Sequence, residues 1–329
     1  MMLKIKHAFV QTAISACLVT QAFAAINLSG GYKDLNGYTE GLSGNITVTG
    51  VNYIANGTLL LQPGTTLNFT ANAGLVILSY GNDGRKAGQL LALGTPTNRV
   101  IFNAQNNTAK GIMMLGRDAI QSSDTNLCTE GFGSECESAG SLYNYGSLNP
   151  TNFRNDSCGI LNHVTINSLG QGNAVTGADT NALTLGGCGR GTLLNDIIVN
   201  DSGDDGIELF GGDATVQNAQ INRAQDDGID WDSDYQGWLL NPIVDSATAS
   251  SFEGSNTYAP LGPVLCSNST VSINPGDGDL NLRSGNLFTN NPALFNMIMG
   301  SGSLQNTAAL PFGTNCPSFA PFLSDSSRF

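Results

Sequence analysis

A chain of 329 residues with 26 acidic and 13 basic side chains carries a formal charge of −13. That balance excludes nucleic acid and anionic membrane surfaces as partners, since both require a positive face. A zinc site is equally unsupported, because the chain has no C-x-x-C and its only histidine beyond the first two dozen residues is His163.

The chain opens with Lys4 and Lys6, an apolar stretch from Ala8 to Thr20, and Ala22-Phe23-Ala24 ahead of Ala25. This order predicts a secretory signal peptide over residues 1–24, cleaved after an A-x-A site. The apolar stretch is shorter than the ~20 residues of a membrane span, and no later segment is long and apolar enough to be one. Ile14-Ser15-Ala16-Cys17 offers a second reading as a lipobox, which would leave a lipid anchor on Cys17. Cleavage after residue 24 removes two lysines and no acids, leaving a charge of −15. The chain is then expected outside the cell, at its surface or in the periplasm. Cys128, Cys136, Cys158, Cys188, Cys266 and Cys316 remain, an even set suited to an oxidising compartment and to as many as three disulfides. Cys128 with Cys136 and Cys266 with Cys316 are plausible from proximity in sequence, although six cysteines allow fifteen pairings.

Leu59-Leu60-Leu61 before Pro63-Gly64-Thr65, then Gly88 to Thr95, then Val100-Ile101-Phe102, read as short opening strands. Residues 120–157, rich in Ser, Gly and Asn, read as a loop insertion held by a disulfide. Leu161 to Asn167 resembles Leu194 to Asn200, and from there the chain repeats itself. Leu194 to Asn200 matches Val216 to Asn222, and Asp204-Asp205-Gly206-Ile207-Glu208-Leu209 matches Asp226-Asp227-Gly228-Ile229-Asp230-Trp231, at a constant offset of 22 residues. That offset is too short for a βαβ unit, which needs about thirty residues. The alternating pairs Ile197/Val199 and Ile207/Leu209, punctuated by Gly, Asn and Asp, predict strands. Strands repeating at one coil length predict an all-β fold, a single-stranded right-handed parallel β-helix over residues 25–245. Residues 246–329, rich in Ser, Asn and Pro, read as an irregular C-terminal cap.

The succession Pro63-Gly64-Thr65, Ala92-x-Gly94-Thr95, Asn181 to Leu185, Asp204 to Gly212 and Asp226 to Asp232 through Tyr235-Gln236-Gly237 resembles one group of bacterial secreted proteins. These are uncharacterised pectin-lyase-like parallel β-helix proteins with tandem DDG-[IF]-[ED] coils, described as surface proteins or lipoproteins. The resemblance runs from about Leu59 to Gly237. It implies the fold and an envelope or extracellular address, and it implies no reaction. Lys110-Gly111-Ile112 departs from the Trp-Gly-Gly expected there.

Strand alternation turns Glu208 outward if Ile207 and Leu209 face the coil interior, and Asp230 likewise between Ile229 and Trp231. One coil apart, Glu208 then stands beside Asp230, Asp204 beside Asp226 and Asp205 beside Asp227, with backbones about 4.8 Å apart. Thr184 continues the first column and Asn181 the third. Stacked acids must bind a cation, share protons or splay into water. Calcium, which takes six to eight oxygen ligands, is the natural cation. The candidate ligands are Asp204, Asp205, Glu208, Asp226, Asp227, Asp230, Asp232 and Asp234. Asp230-x-Asp232-x-Asp234 is not an EF-hand, since its twelfth position is Asn241. The competing reading makes Asp204-Asp205-Gly206 and its copy simple turn formers with solvated carboxylates.

Three functions follow. The first is a non-catalytic surface or matrix protein stiffened by calcium, with a glycan or cell-surface component as partner. The second is a glycoside hydrolase on a neutral polysaccharide, with Asp205, Glu208, Asp227 and Asp230 as candidate acid, base or nucleophile. The third, a polyuronate lyase or hydrolase, requires a base near an anionic substrate. The repeat supplies only Arg190 and Arg223, Arg223 reads as the partner of a neighbouring acid, and His163 reads as structural. Tyr235 and Trp238 are possible sugar-stacking rings, whereas Trp231, aligned with inward Leu209, belongs to the core.

Overall fold

The computed structural model describes residues 26–81, 84–120, 140–148, 153, 155–171, 180–233, 235–255, 264–266 and 281–283. These form short parallel strands in stacked sheets, the β-helix the repeat predicts. One sheet of seven strands runs through Gly31–Asp34, Val51–Ala55, Gly74–Ile77, Ile112–Leu115, Leu183–Gly186, Ile207–Phe210 and Ile229–Asp232 in that spatial order, one strand per coil. A second sheet, of 13 strands among the described residues, wraps the rest of each coil. The only helical segment among the described residues is one 3-10 turn, Gly140–Tyr143.

The register is the one the repeat dictates. Leu194 pairs with Val216, Ile198 with Gln220, Ile207 with Ile229 and Leu209 with Trp231. The weaker copy also aligns, Leu161 with Leu194 through Ile166 with Val199, before a bulge shifts it by one residue. Pairing does not stop at residue 245. Phe252 bridges Ile229, and the strand Val264–Cys266 pairs with Trp238–Leu240.

Inside the coils, alternate residues stack into apolar columns that include Leu75, Ile112, Leu183, Ile207 and Ile229, all at most 1% exposed. Each such side chain contributes roughly 1.5–3 kcal/mol by its burial. The glycines of the two DDG segments follow from this packing. A Cβ at Gly206 would sit 2.5 Å from the carbonyl oxygen of Gly228, and one at Gly228 would sit 2.6 Å from that of Ser251. The backbones approach too closely there for any side chain, so these glycines are set by the neighbouring coil as well as by the turn.

A second apolar cluster lies on the outer side of the first sheet, where Val51, Tyr53, Val76, Met113, Leu115 and Phe210 pack beneath Tyr143 and Tyr145. The hydroxyls of Tyr53 and Tyr143 meet at 2.9 Å. The described part of the 120–157 insertion therefore covers this sheet instead of standing away from it. A disulfide joins Cys158 and Cys188 on adjacent coils, both buried. The pairs expected for Cys128 with Cys136 and Cys266 with Cys316, the signal peptide and Cys17 each involve residues outside the described ones.

Candidate functional site

One register position on the outer side of the first sheet reads Tyr53, Val76, Met113, Thr184, Glu208 and Asp230 from coil to coil. The bridge between Ile229 and Phe252 sets Glu253 on the next rung. The same column is thus apolar beneath Tyr143, polar at Thr184 and acidic over its last three rungs. Ile207, Leu209, Ile229 and Trp231 fill the core, so Glu208 and Asp230 stand on the opposite side of their strands, as alternation requires. Outward is not exposed, however. Glu208 is 6% exposed, Asp205 6%, Asp227 3% and Glu253 8%, with Asp230 partly buried.

Beside this column runs a ladder in which a side chain accepts the backbone N–H of the next coil. Asn181 Oδ1 accepts from Asp205 N at 3.2 Å, Asp205 Oδ1 accepts from Asp227 N at 2.8 Å, and Asp227 Oδ1 accepts from Ser250 N. Asn181 starts the series, so the ladder needs an acceptor oxygen and not a charge. Its Nδ2 donates to Thr184 Oγ1 at 3.1 Å and to Glu208 Oε2, which ties the ladder to the acidic column. Asp205 and Asp227 therefore serve the turn with one oxygen each, and the turn-former reading describes half of what they do.

The remaining oxygens converge. Asp205, Glu208 and Asp230 each present one oxygen within 4.8 Å of the other two, and Asp204, Asp205 and Asp226 form a second such group sharing Asp205. Burial pushes the Asp205 carboxyl well above the ordinary carboxylate range, with Asp230 and Asp204 adding repulsion against the hydrogen bond from Asp227. Asp227 is pushed up to about 8, first by burial and then by a hydrogen bond shared with Glu253. Asp230 is raised by burial, then by the charges of Asp232, Glu253 and Asp227. The strongest charges acting on these acids are thus other acids. Arg190 pairs with Asp213 at 2.7 Å, and Arg223 pairs with Asp201 at 2.9 Å on an exposed edge. The two basic residues of the repeat are engaged elsewhere.

The other candidates divide. Asp232 follows two residues after Asp230 on the same side of the strand and raises its pKa, but it joins neither converging group among the described residues. Asp226 is exposed at the rim. Asp234 lies outside the described residues. Tyr235 is not a sugar platform: its ring is fully buried, and its hydroxyl donates to Ala214 O at 2.7 Å. Trp231 is core, as its alignment with Leu209 predicts. Trp238 is partly exposed but belongs to the second sheet, away from the acidic column. His163 gains a partner: its Nδ1 meets Asp196, which also takes Arg99 Nη1 at 2.9 Å. His163, Asp196, Asn218 and Asn241 all adopt positive φ of 50–53°, a conformation that His, Asp and Asn tolerate better than most residues.

Glu253 is the site residue that sequence reasoning missed. Its signal is Ser250-Ser251-Phe252-Glu253, which keeps the inward apolar residue followed by an outward acid but replaces the Asp-Asp-Gly and slips the offset to 23 residues.

Among the described residues no helix is long and apolar enough to cross a membrane. Residues 38–296 match the family model of the pectate-lyase-like beta helix domain. No curated protein and no solved structure matches the chain.

Proposed function

Because this chain belongs to the pectate-lyase-like beta helix domain family, we propose that it is an exported, non-catalytic β-helix protein whose acidic column holds a divalent cation. Its role lies at the cell surface or outside the cell, adhesive or glycan-binding. Calcium is the cation that the ligand chemistry favours, since every candidate ligand is a hard oxygen and calcium tolerates irregular oxygen sets. The observation that carries the reading is the convergence of Asp205, Glu208 and Asp230 within 4.8 Å, in partly or fully buried positions. Such a set must be neutralised by protons or by a cation. At the neutral pH and millimolar calcium of an extracellular setting, the cation is the more effective of the two.

The raised carboxyl pKa values are also what a glycosidase acid needs. Burial weighs against that reading: Asp205 and Glu208 are each only 6% exposed, too little to meet a polysaccharide chain. A polyuronate lyase fares worse, with Arg190 and Arg223 paired away from the acids.

The test is a thermal melt of the exported chain in EDTA and in millimolar calcium, with the double variant Glu208→Ala/Asp230→Ala alongside. A calcium-dependent rise in Tm in the parent that vanishes in the variant supports the reading. Release of sugar products by the parent but not by Glu208→Gln would replace it with the glycosidase.

A further inference from the structure

Two inner columns of the solenoid begin on a charge. Lys33 stands in register with Ile54, and the same column continues through Ile77, Met114, Leu185 and Leu209 to Trp231. Every rung after the first is a core residue at most 1% exposed. Glu40 stands likewise in register with Leu59, and Leu59 with Leu90, both fully buried. The first coil thus places a cation and an anion at two inward positions where the next coils carry hydrocarbon. The Lys33 ammonium turns back to the chain entering its own coil and donates to Gly30 O at 3.0 Å.

The strands that carry these charges form an open edge. Gly31–Asp34, Thr39–Leu42 and Asn45–Val48 each pair, among the described residues, with one strand only, that of the following coil. Gly31, Tyr32 and Asp34 are exposed, whereas all five residues of Val51–Ala55 on the following coil are buried. Tyr32 and Tyr38, 49% and 58% exposed, add apolar surface to the same coil. An open strand edge is a template for another strand, and an inward-pointing charge is one way of closing it. The strand that fits is the same edge of a second copy, because a two-fold axis makes the surface complementary to itself. Edge pairing would join the inner columns of two copies into one core. It would also strip water from the ammonium, which has three donors, and from the Glu40 carboxylate. Desolvating ions in this way opposes association.

We infer that Lys33 and Glu40 are stops, which keep the N-terminal edge of the solenoid from pairing with a second copy of this chain. The first coil and the cation cluster lie at opposite ends of the first sheet, so the two readings stand or fall separately.

The test is sedimentation velocity of the exported chain over a range of concentrations in EDTA. The parent should remain monomeric. Lys33→Leu/Glu40→Leu fills both rungs with hydrocarbon and should dimerise reversibly, at least about a hundredfold more tightly than the parent. Lys33→Met and Glu40→Gln remove one charge each at nearly constant shape and should shift association the same way, should the double variant not fold. Lys86→Leu, which removes an exposed lysine away from this edge, should change nothing. Tyr32→Cys in the double-leucine background should give a disulfide-linked dimer on oxidation, placing the contact at the first coil. Circular dichroism melts exclude unfolding as the cause. Folded variants that stay monomeric throughout, or an equal response in Lys86→Leu, would overturn the inference. So would a parent dimer that Lys33→Met weakens, since the charges would then fasten the edge instead of closing it.

Discussion

Replacing Asp205 by Asn separates charge from geometry in the acidic cluster. The ladder position needs an acceptor for Asp227 N–H at 2.8 Å, and one coil earlier Asn181 fills that role with an amide. The variant therefore keeps the turn and loses only the ionisable group. In the folded, metal-free protein the Asp205 carboxyl is held well above its ordinary 3.8. Folding must therefore hold this group against its ordinary ionisation, and each tenfold weakening of its acidity costs about 1.4 kcal/mol at neutral pH. An amide at this position carries no charge to bury and still accepts the Asp227 N–H. Asp205→Asn should accordingly stabilise the metal-free protein at pH 7 by at least about 1.4 kcal/mol. A group whose folded pKa is raised contributes its full stability below the unfolded value and loses it as pH rises toward the folded value. The advantage of the variant should therefore shrink toward zero near pH 4 and grow through pH 7. Urea unfolding in EDTA at pH 4, 5.5 and 7 measures this, and the same series in calcium should show stabilisation of the parent with little response in the variant. A variant less stable than the parent at pH 7 in EDTA, or a gap independent of pH, would refute the argument.

The metal-free parent should itself lose stability from pH 4 to pH 8, with Asp227, pushed up to about 8, extending the decline to the top of that range; calcium should flatten the curve in circular dichroism melts. Reducing or deleting the Cys158–Cys188 bond, which spans a sequence separation of 30, should lower the unfolding free energy by about 3–4 kcal/mol, read by urea titration with and without reductant. Gly206→Ala drives a Cβ to 2.5 Å from a backbone oxygen of the next coil and should destabilise by at least about 2 kcal/mol; a variant within 0.5 kcal/mol of the parent, on that scale, would show that the coils can separate there. Tyr235→Phe should cost about 1 kcal/mol through its lost bond to Ala214, read by urea titration.

The coil, its register and the stacking of Glu208 on Asp230 were all legible in the sequence, because a solenoid places residues one repeat apart in direct contact. Leu194 over Val216 needs no more than an alignment of the chain with itself. What was hidden depends on contacts between unlike segments. The burial of Glu208 and Asp205 could not be read from alternation, which separates the two sides of a strand but does not say whether the outer side meets water. The apolar rungs of that side lie beneath Tyr143 and Tyr145, from an insertion with no repeat to align, while Glu208 is closed in by Asn181, Asp205 and Asp230. Tyr235 looked available because it follows the strand end among polar residues, yet the chain folds its ring back into the core. Glu253 escaped because the motif had decayed to one apolar residue and one acid.

The column that runs from Tyr32 through Tyr53 to Glu253 shows that the backbone of this fold is indifferent to what it displays on the outer side of the first sheet. Oily, hydroxylic and anionic rungs share one rail, and the hydrogen bonding beneath them does not change. Growth of the molecule is therefore decoupled from its chemistry. A further copy of residues 204–225, inserted ahead of Asp226, would add one anionic rung to one side of the solenoid and one amide rung to another in a single step. The acidic column would lengthen by one rung, from a duplication of 22 codons.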